Sequence, residues 1–507
     1  MKPEKPECPE PAIRIEDPDS GLDNSSDSGH SCDDEISTPS SDADELFSDK
    51  SQDGINSSSP NSSHHHIEIK TCTHWIEDYH QINLSKPKTP ELDSKPIKLE
   101  CDHKELSAVL ELESFLTHES LVTEPNNNAV TSKIYDNLPE YYVDLMTTGK
   151  TETIDFSVSL DDRPDWLDLE KFKRGQKFAL DHLFGINFAE VISLFILFST
   201  KWALEPLIFT GNSDTPFKSF KRYLSTLSRL KTWYEEDLWG KESNIGKTNM
   251  SIVKGMHKNV HLQISSATEE EYDKKVSLGN SRELSSRCPV KDVAAEDFKG
   301  SCPMSFAPDL NKHRPEVIVS QTAMAFTQFA FVGLTVTYPK SFGIHHATDE
   351  DLEAFIHLWR GLGFLLGIKD KYNFCNGNLD TVRTRTKDFI DVVIKPAMRD
   401  VTAEWEYMTR CLVDGVEFYI KGFYFESALL YICHVLNIHT PRLKKYVSYT
   451  HYFLFLVTKF VYEHLTKIPA VFRWFNRNVQ NQVKKAQTAS PEVLKKWEEK
   501  KFSYMAK

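Results

Sequence analysis

His257 lies on an apolar helix face, where an imidazole ring can ligate a haem iron. The segment SIVKGMHKNVHLQI, residues 251–264, places it in helical register with Val253 and Val260. No carboxylate accompanies it in this segment, so a neutral ring would project from a largely apolar surface, as a haem ligand requires. A lone histidine on such a face is often a core residue that hydrogen-bonds a carbonyl group, and the segment by itself leaves both interpretations open.

His261 lies one helical turn after His257 and could form an i, i+4 metal-binding pair with it. A zinc site takes its protein ligands at characteristic spacings. The sequence supplies no third ligand at such a spacing. The zinc-type interpretation therefore has little support.

The preceding segment, PFKSFKRYLSTLSRLKTWYEEDLW, predicts a helix over residues 216–239 that places a cation and a hydroxyl group on one face. Apolar residues at helical spacing would face a core: Phe217, Phe220, Leu224, Leu227 and Leu238. An adjacent face carries Arg222, Thr226, Arg229 and Trp233. A guanidinium and a hydroxyl group therefore point the same way.

The formal charge of the 507-residue chain is concentrated near its start. Residues 1–60 contain 4 Lys and Arg against 16 Asp and Glu, a balance of −12 within a whole-chain charge of −14. The remaining residues are nearly neutral, with 56 basic and 58 acidic side chains. Nucleic-acid partners are not expected, because no basic surface is indicated.

Cysteine usage and the first residues favour the cytoplasm. The nine cysteines are an odd number, are widely scattered and include no C-x-x-C pair. This pattern is typical of reduced thiols in a cytosolic protein. The segment MKPEKPECPEP has no apolar stretch, so a cleaved secretory signal is not expected.

Composition divides the chain into a tail and a folded part. Residues 1–150 are predicted to be an acidic, Ser-rich disordered tail and linker, with one short helix from His103 to Phe115. A helical domain is expected over residues 160–440, beginning near Arg163, with a helical C-terminal extension over residues 441–507. Strand signals are few, so the predicted fold class is all-α.

Within the helical domain, apolar runs predict a buried core helix between residues 178 and 209 and another over residues 317–339. Thr348 is expected to cap the helix after that, and more helices are predicted over residues 388–412, 415–436 and 443–465. The polar segment of residues 265–315 has no sustained period. It is expected to be a mobile surface insertion, with a functional lid as the alternative.

The last apolar block raises the question of a membrane. In residues 446–477 the uncharged run ends at Lys459 after thirteen residues, which is short for a spanning helix. Aromatic residues mixed with Lys459, Arg473 and Arg477 suit an interfacial helix. A helix that covers the core of the domain fits the same pattern, so peripheral contact with an intracellular membrane stays an open alternative.

Five sequence blocks together carry a resemblance to a known family. They are RGQ (174–176), ALEPLIF (203–209), FKRYLST (220–226), VKGMH (253–257) and HLWRGLGFLLGI (357–368). Because these blocks occur in this order, the chain resembles the rubber-oxygenase (latex clearing protein) catalytic-domain family. That family includes the ER-bound oxygenase of mycophenolic acid biosynthesis. The resemblance implies a globin-like helical bundle that binds haem b through one histidine and cleaves isoprenoid double bonds with dioxygen.

The resemblance also implies roles for individual residues. VKGMH places the iron ligand at His257, and the Arg-x-x-x-Thr pattern of the family falls on Arg222 and Thr226. Arg222 would pair with a haem propionate or polarise a group on the opposite side, and Thr226 would donate a hydrogen bond to dioxygen. Glu205, in ALEPLIF, matches the region of a catalytic glutamate.

One departure from the family limits the substrate. Rubber-cleaving members have a lysine directly before the threonine, and Ser225 occupies that position here. Ligation of the iron by a lysine from this position is therefore not expected, and rubber itself becomes a doubtful substrate. The first residues contain no apolar stretch, so a membrane anchor like that of the ER-bound fungal enzyme is not expected.

Three functions follow as hypotheses. The first is a haem b-dependent oxygenase that acts with dioxygen on a hydrophobic, isoprenoid or lipid-like, substrate. The second is a haem-binding carrier or sensor without turnover. The third is a helical interaction module without a cofactor. A haem absorption spectrum separates the third from the others, and dioxygen consumption separates the first from the second.

Overall fold

Helices make up the fold in the computed structural model, which describes residues 138–300, 314–315 and 317–505. These residues contain no strand, and two of them, Thr153 and Ser320, form an isolated antiparallel bridge. The all-α prediction is confirmed. Up to residue 137, the predicted disordered tail lies outside the described residues, and so does the short helix predicted from His103 to Phe115.

The helices are short to medium in length and follow one another with brief connections. In chain order they are α1 Glu140–Asp144, α2 Leu169–Asp181, α3 Leu183–Leu197, α4 Lys201–Thr210, α5 Pro216–Glu235, α6 Ile245–Ser266, α7 Glu269–Lys275, α8 Ser281–Arg287, α9 Val290–Lys299, α10 Gln321–Thr337, α11 Asp349–Leu365, α12 Leu379–Phe389, α13 Lys395–Arg399, α14 Ala403–Glu417, α15 Phe425–Val435, α16 Pro441–Tyr446, α17 Tyr449–Glu463, α18 Pro469–Gln487 and α19 Pro491–Glu498. Single π-helical turns follow α1 and α12, at Leu145–Gly149 and Ile390–Ile394.

The predicted helix pair is present as the α5–α6 hairpin, with different bounds. Pro216 is the first residue of α5, and the Thr215 side chain accepts a hydrogen bond from a backbone amide of the first turn. α5 ends at Glu235, so Leu238 lies beyond the helix that was predicted to contain it, although its side chain is buried. α6 begins earlier than predicted, because Asn244 caps it at Ile245.

The RGQ block of α2 packs this helix closely against α11 and holds the end of α5. A Cβ atom at Gly175 would lie 2.3 Å from the Ala354 carbonyl oxygen, so only glycine allows the two helices to approach this closely. Gln176 Nε2 donates to the carbonyl oxygens of Trp233 and Glu236, each at 2.8 Å. The block thus joins three helices.

Arg174, the first residue of this block, binds the start of α11. Its Nε donates to Asp351 Oδ1 at 2.9 Å. Asp351 also completes a capping box with Thr348, which confirms the predicted cap. The N-terminus of α11 is therefore fixed both by its own cap and by α2.

The apolar run of residues 178–209 forms the end of α2, α3 and α4 instead of a single buried helix. α2 and α3 meet at an angle of 87°. Asn476 of α18 fills this bend, because its Oδ1 accepts from the Phe184 amide at 2.9 Å and its Nδ2 donates to the Leu180 carbonyl oxygen at 3.0 Å. The sequence could not show the bend, since the residue that satisfies its backbone groups lies 292 positions away from Phe184.

Residues 265–300 correct another prediction, because they are helical and packed. They form α7, α8 and α9, which bury apolar side chains against the domain: Tyr272, Leu284, Val290, Ala294 and Phe298. Thr268 and Asn280 cap α7 and α8. These helices are too short to show a sustained hydrophobic period, so the sequence gives no regular pattern there. Residues 301–313 of the predicted insertion lie outside the described residues.

The folded part begins before the boundary predicted near residue 160. Tyr142, Leu145, Met146 and Ile154 are buried in the same core as α3 and α10, although residues up to 150 were assigned to the linker. The helices predicted over residues 388–412, 415–436 and 443–465 are broken at other points, near Asp400 and before α15. Side chains of α16, α17 and α18 belong to the main core, so the predicted C-terminal extension packs as part of it.

No single helix in the described ranges is both long and apolar enough to cross a bilayer. The bent pair of α2 and α3 meets the length and hydropathy criteria when the two are taken together. In α3 nearly every side chain is buried inside the protein.

Replacement of Gly175 by alanine tests the contact between α2 and α11. Gly175→Ala should lower the free energy of unfolding by about 3 kcal/mol, because the added methyl group meets backbone atoms that cannot move aside. Chemical denaturation measures the change. Gly255→Ala is the matched control, because a Cβ atom at that position would meet nothing within 4 Å. The control should gain about 1 kcal/mol from helix propensity, and equal stability of the two variants would contradict the close packing.

Candidate functional site

The α5–α6 hairpin is tight at its turn and loosens where His257 lies. Near the turn, Asn249 Nδ2 donates to Thr232 Oγ1 at 3.0 Å. Further along α6, Met250 and Ile264 are fully buried on the inward face. His257, about halfway between them on this face, is only half-buried. The inward face of α6 is therefore more accessible to solvent at His257 than at Met250 or Ile264.

α5 shows the same loosening on its side of the hairpin. Leu224 and Leu230 are buried, whereas the residues between them are all half-buried. Leu224 precedes Thr232 by as many residues as His257 follows Asn249, so the two lie at the same level of an antiparallel hairpin. The half-buried stretch of α5 and the half-buried His257 of α6 thus lie at the same level of the hairpin.

His257 has the electrostatic character of a metal ligand. Its Nδ1 is buried and has no hydrogen-bond partner in the structure. Burial and the nearby Arg222 guanidinium lower the pKa of His257 to about 4. The ring is therefore neutral at physiological pH. A neutral imidazole with a free lone pair is the form that binds iron.

Arg222 has no anionic partner among the described residues, unlike Arg360 and Arg410. Arg360 pairs with Asp370 at 2.7 Å, and Arg410 bridges Glu406 and Glu426 at 2.9 and 2.8 Å. Arg222 instead lies near a neutral imidazole, whose pKa it lowers. A guanidinium in this position can bind an anionic group of a ligand without first breaking an ion pair.

Thr226 lies one turn after Arg222 on α5, and its hydroxyl group makes no hydrogen bond within the described part of the chain. The neighbouring Ser225 is engaged, because its Oγ accepts from Arg229 Nη1 at 2.5 Å. Helical threonines often bond the carbonyl oxygen one turn back, as Thr210 does to Pro206 at 3.0 Å. The Thr226 hydroxyl is thus free to donate to a ligand.

His261 points to a different neighbour and adds no metal site. Its ring lies 6.0 Å from the ring of Phe156, and its buried Nδ1 has no hydrogen-bond partner. Burial lowers its pKa as well. The part of the chain that the structure describes contains no group of three or more His, Cys, Asp or Glu side chains arranged for a metal ion. A zinc-type site at His257 and His261 therefore gains no support.

Glu205 is held apart from the other three predicted residues. Its Oε2 accepts a hydrogen bond from the Tyr272 hydroxyl of α7 at 2.8 Å. Burial raises the pKa of Glu205, although the hydrogen bond from Tyr272 and the charge of Lys201 oppose this shift. No described interaction joins Glu205 to Arg222, Thr226 or His257. The structure thus brings Arg222 and His257 together, with Thr226 on the same helix as Arg222, and gives Glu205 another partner.

Glu190 is a buried acid that the sequence analysis did not identify as functional. It lies on α3, its Oε1 has no hydrogen-bond partner, and burial raises its pKa to about 8. The buried Asn187 Nδ2, one turn before it, is also unpartnered. Burial raises the pKa of the Tyr234 hydroxyl group on α5, and so would a charge on Glu190, whose carboxyl group therefore lies near it. In the sequence, the signal that could have identified Glu190 is its position as a single charge within a long apolar run. Glu190 is therefore a neutral carboxylic acid at pH 7, close to α5.

No family model, curated protein or solved structure matched this chain. The resemblance to rubber oxygenases remains a prediction that rests on the five sequence blocks. In the structure, RGQ and most of HLWRGLGFLLGI lie in α2 and α11, which pack against each other. The other three blocks lie in α4, α5 and α6 and contain the candidate residues.

Glu190→Gln tests the buried acid through the pH dependence of stability. The folded pKa of about 8 exceeds the ordinary glutamate pKa of 4.5, so wild-type stability should fall as pH rises between these two values. The stability of the uncharged variant should not fall in this pH range for this reason. The stability of the variant should match that of the wild type near pH 4.5 and exceed it by about 4 kcal/mol near pH 8.

Denaturation at a series of pH values measures this difference. Glu270→Gln is the control, because it removes the same charge from an exposed position of α7. A constant difference between Glu190→Gln and wild type across the pH range would show that Glu190 is not a buried neutral acid.

Proposed function

We propose that this chain binds haem b through His257 and uses dioxygen to oxidise a hydrophobic substrate of the isoprenoid or lipid-like class. The supporting observation is that the Arg222 guanidinium lies near the His257 imidazole, in the half-buried part of the α5–α6 hairpin. The imidazole is neutral with an unpartnered ring nitrogen, and the guanidinium has no described anionic partner. Haem b carries both an iron that needs an imidazole and carboxylates that need a cation.

The residues present fit this cofactor on chemical grounds. His257 would hold the iron with its lone pair, which burial and the positive charge of Arg222 keep unprotonated by lowering the pKa of the ring. Arg222 would neutralise a propionate. When bound, haem b would supply the redox-active iron at which dioxygen reacts.

The side chains of α5 would prepare the site for that reaction. Thr226 has a hydroxyl group with no described partner, so it can donate a hydrogen bond to negative charge that develops on oxygen. Half-buried apolar residues on the same helices, such as Leu227, Val253 and Val260, would exclude water and hold a hydrophobic substrate. Among the predicted catalytic residues Glu205 has the least support, since Tyr272 already binds its carboxylate.

We also propose a cytoplasmic location. The four cysteines in the described residues, Cys288, Cys375, Cys411 and Cys433, are buried free thiols. Oxidising compartments favour disulfides, whereas the cytosol keeps such thiols reduced.

His257→Ala tests the ligand. Haem b added to the full-length wild-type protein should give a Soret band, and the variant should lose or shift this band and bind haem at least about tenfold more weakly, because one coordinate bond is removed. His261→Ala is the matched control, one turn further along the same helix, and should bind haem like the wild type. An unchanged spectrum of His257→Ala would remove His257 from the ligand role.

Thr226→Val tests turnover separately from haem binding. The variant should retain haem and slow dioxygen-dependent product formation about a hundredfold, because valine keeps the shape of threonine and loses only its hydrogen bond. Product formation from unsaturated lipid and isoprenoid substrates is measured at matched haem occupancy.

Ser228→Ala serves as the control for this variant. It removes another hydroxyl group of α5, which donates to the Leu224 carbonyl oxygen and accepts from Gln487 Nε2. If the wild type binds haem but consumes no dioxygen with any of these substrates, the protein is a haem carrier or sensor. If Thr226→Val is as active as the wild type, Thr226 has no part in the reaction.

A further inference from the structure

The outer face of α17 exposes a stripe of large apolar side chains. Its members recur at helical spacing: Tyr449, Phe453, Leu456, Val457 and Phe460. Tyr449 is 96% exposed, Phe453 61% and Phe460 57%. These five residues are here called the apolar ridge. Single exposed apolar residues are common on protein surfaces, whereas a continuous stripe along one helix indicates an interaction site.

The orientation of α17 is fixed by its other face, which packs on the domain. Phe455 and Tyr462 are buried there. The ring of Tyr462 stacks on Phe184 of α3 at 4.8 Å and on Phe188 at 4.1 Å. The prediction that this helix covers the core is therefore confirmed for one face, and the apolar ridge is the opposite face of a firmly packed helix.

Segments on both sides of α17 extend the exposed apolar surface. Tyr446, at the end of α16, is 47% exposed. Ile468 and Trp474, which follow α17, are each 51% exposed. Tyrosine and tryptophan are the side chains that favour the boundary between water and lipid, because each combines an apolar ring with a polar group.

The charge around the ridge is opposite to that of the whole chain. Residues 440–487 contain nine Lys and Arg and one acidic residue, Glu463, a balance of +8 in a protein of charge −14. Glu463 is engaged, because its Oε1 lies 2.6 Å from His434 Nε2 and its Oε2 4.0 Å from Lys459 Nζ. Lys444, Lys445 and Lys467 are exposed near the ends of α17.

We propose that α17 docks on the surface of an anionic lipid bilayer, with the apolar ridge inserted among the lipid headgroups. An exposed aromatic and aliphatic face flanked by lysine and arginine is the composition of an interfacial helix, in which apolar burial and attraction to anionic lipid act together. The helix has 15 residues and would lie in the plane of the interface. A nucleic acid would be bound by polar and basic groups, not by a face of this kind.

This inference goes beyond the proposed function and does not depend on haem. Docking through α17 would hold the domain at a membrane, where isoprenoid and lipid-like molecules are concentrated. Membrane binding and haem binding involve different helices, so each can be lost without the other.

The test is flotation of the full-length protein with vesicles of phosphatidylcholine, alone or mixed with phosphatidylserine. The wild type should bind the mixed vesicles more tightly, and added salt should weaken this binding. The double variant Phe453→Ser and Phe460→Ser should bind about tenfold more weakly or worse, because most of the apolar area that enters the lipid is lost. Both side chains are exposed, so the thermal unfolding midpoint should not fall.

Two further variants test whether binding depends on the apolar ridge itself and on the nearby lysine charges. Ile245→Ser removes an equally exposed apolar side chain at the start of α6 and should bind vesicles like the wild type. Lys444→Glu with Lys445→Glu should abolish the preference for phosphatidylserine. The proposal is overturned if the wild type binds neither type of vesicle or if the phenylalanine variant binds as well as the wild type. A change in sedimentation of that variant without vesicle binding would assign the ridge to a second copy of the chain.

Discussion

The close approach of α2 and α11 at Gly175 is the constraint from which the candidate site follows. Because a side chain at this position would collide with the Ala354 carbonyl oxygen, the two helices touch through backbone atoms. The next residue, Gln176, then donates to the carbonyl oxygen of Trp233 in the last turn of α5 and to that of Glu236 just beyond the helix. One short sequence block thus fixes the end of the helix whose other turns carry Arg222 and Thr226.

A hairpin that is anchored at one end can stay loosely packed at the other. α5 and α6 touch closely near their turn, and the half-buried residues further along leave polar groups without protein partners. A buried polar atom without a partner is costly in a finished core, and Nδ1 of His257 is such an atom. The same reasoning applies to Glu190, whose buried carboxyl group stays neutral because no cation accompanies it.

Charge is separated along this chain. The acidic balance of residues 1–60 accounts for most of the whole-chain charge, whereas residues 440–487 are basic. The basic segment folds into helices that share the main core and still expose an apolar ridge. A net acidic protein can therefore present one surface suited to anionic lipid, and this surface belongs to the same folded unit as the α5–α6 hairpin.

The sequence by itself determined the all-α class, the helix pair that carries the candidate residues and the cap at Thr348, because hydrophobic periods and capping residues act locally. Tertiary structure alone decided the break between α2 and α3 that Asn476 fills, the short packed helices after residue 265 and the different partner of Glu205. Each of these depends on contacts between residues far apart in sequence. For the same reason, the aromatic block around α17 favoured a helix that covers the core and left an interfacial helix as the alternative, and only packing showed that one face is buried and the other exposed.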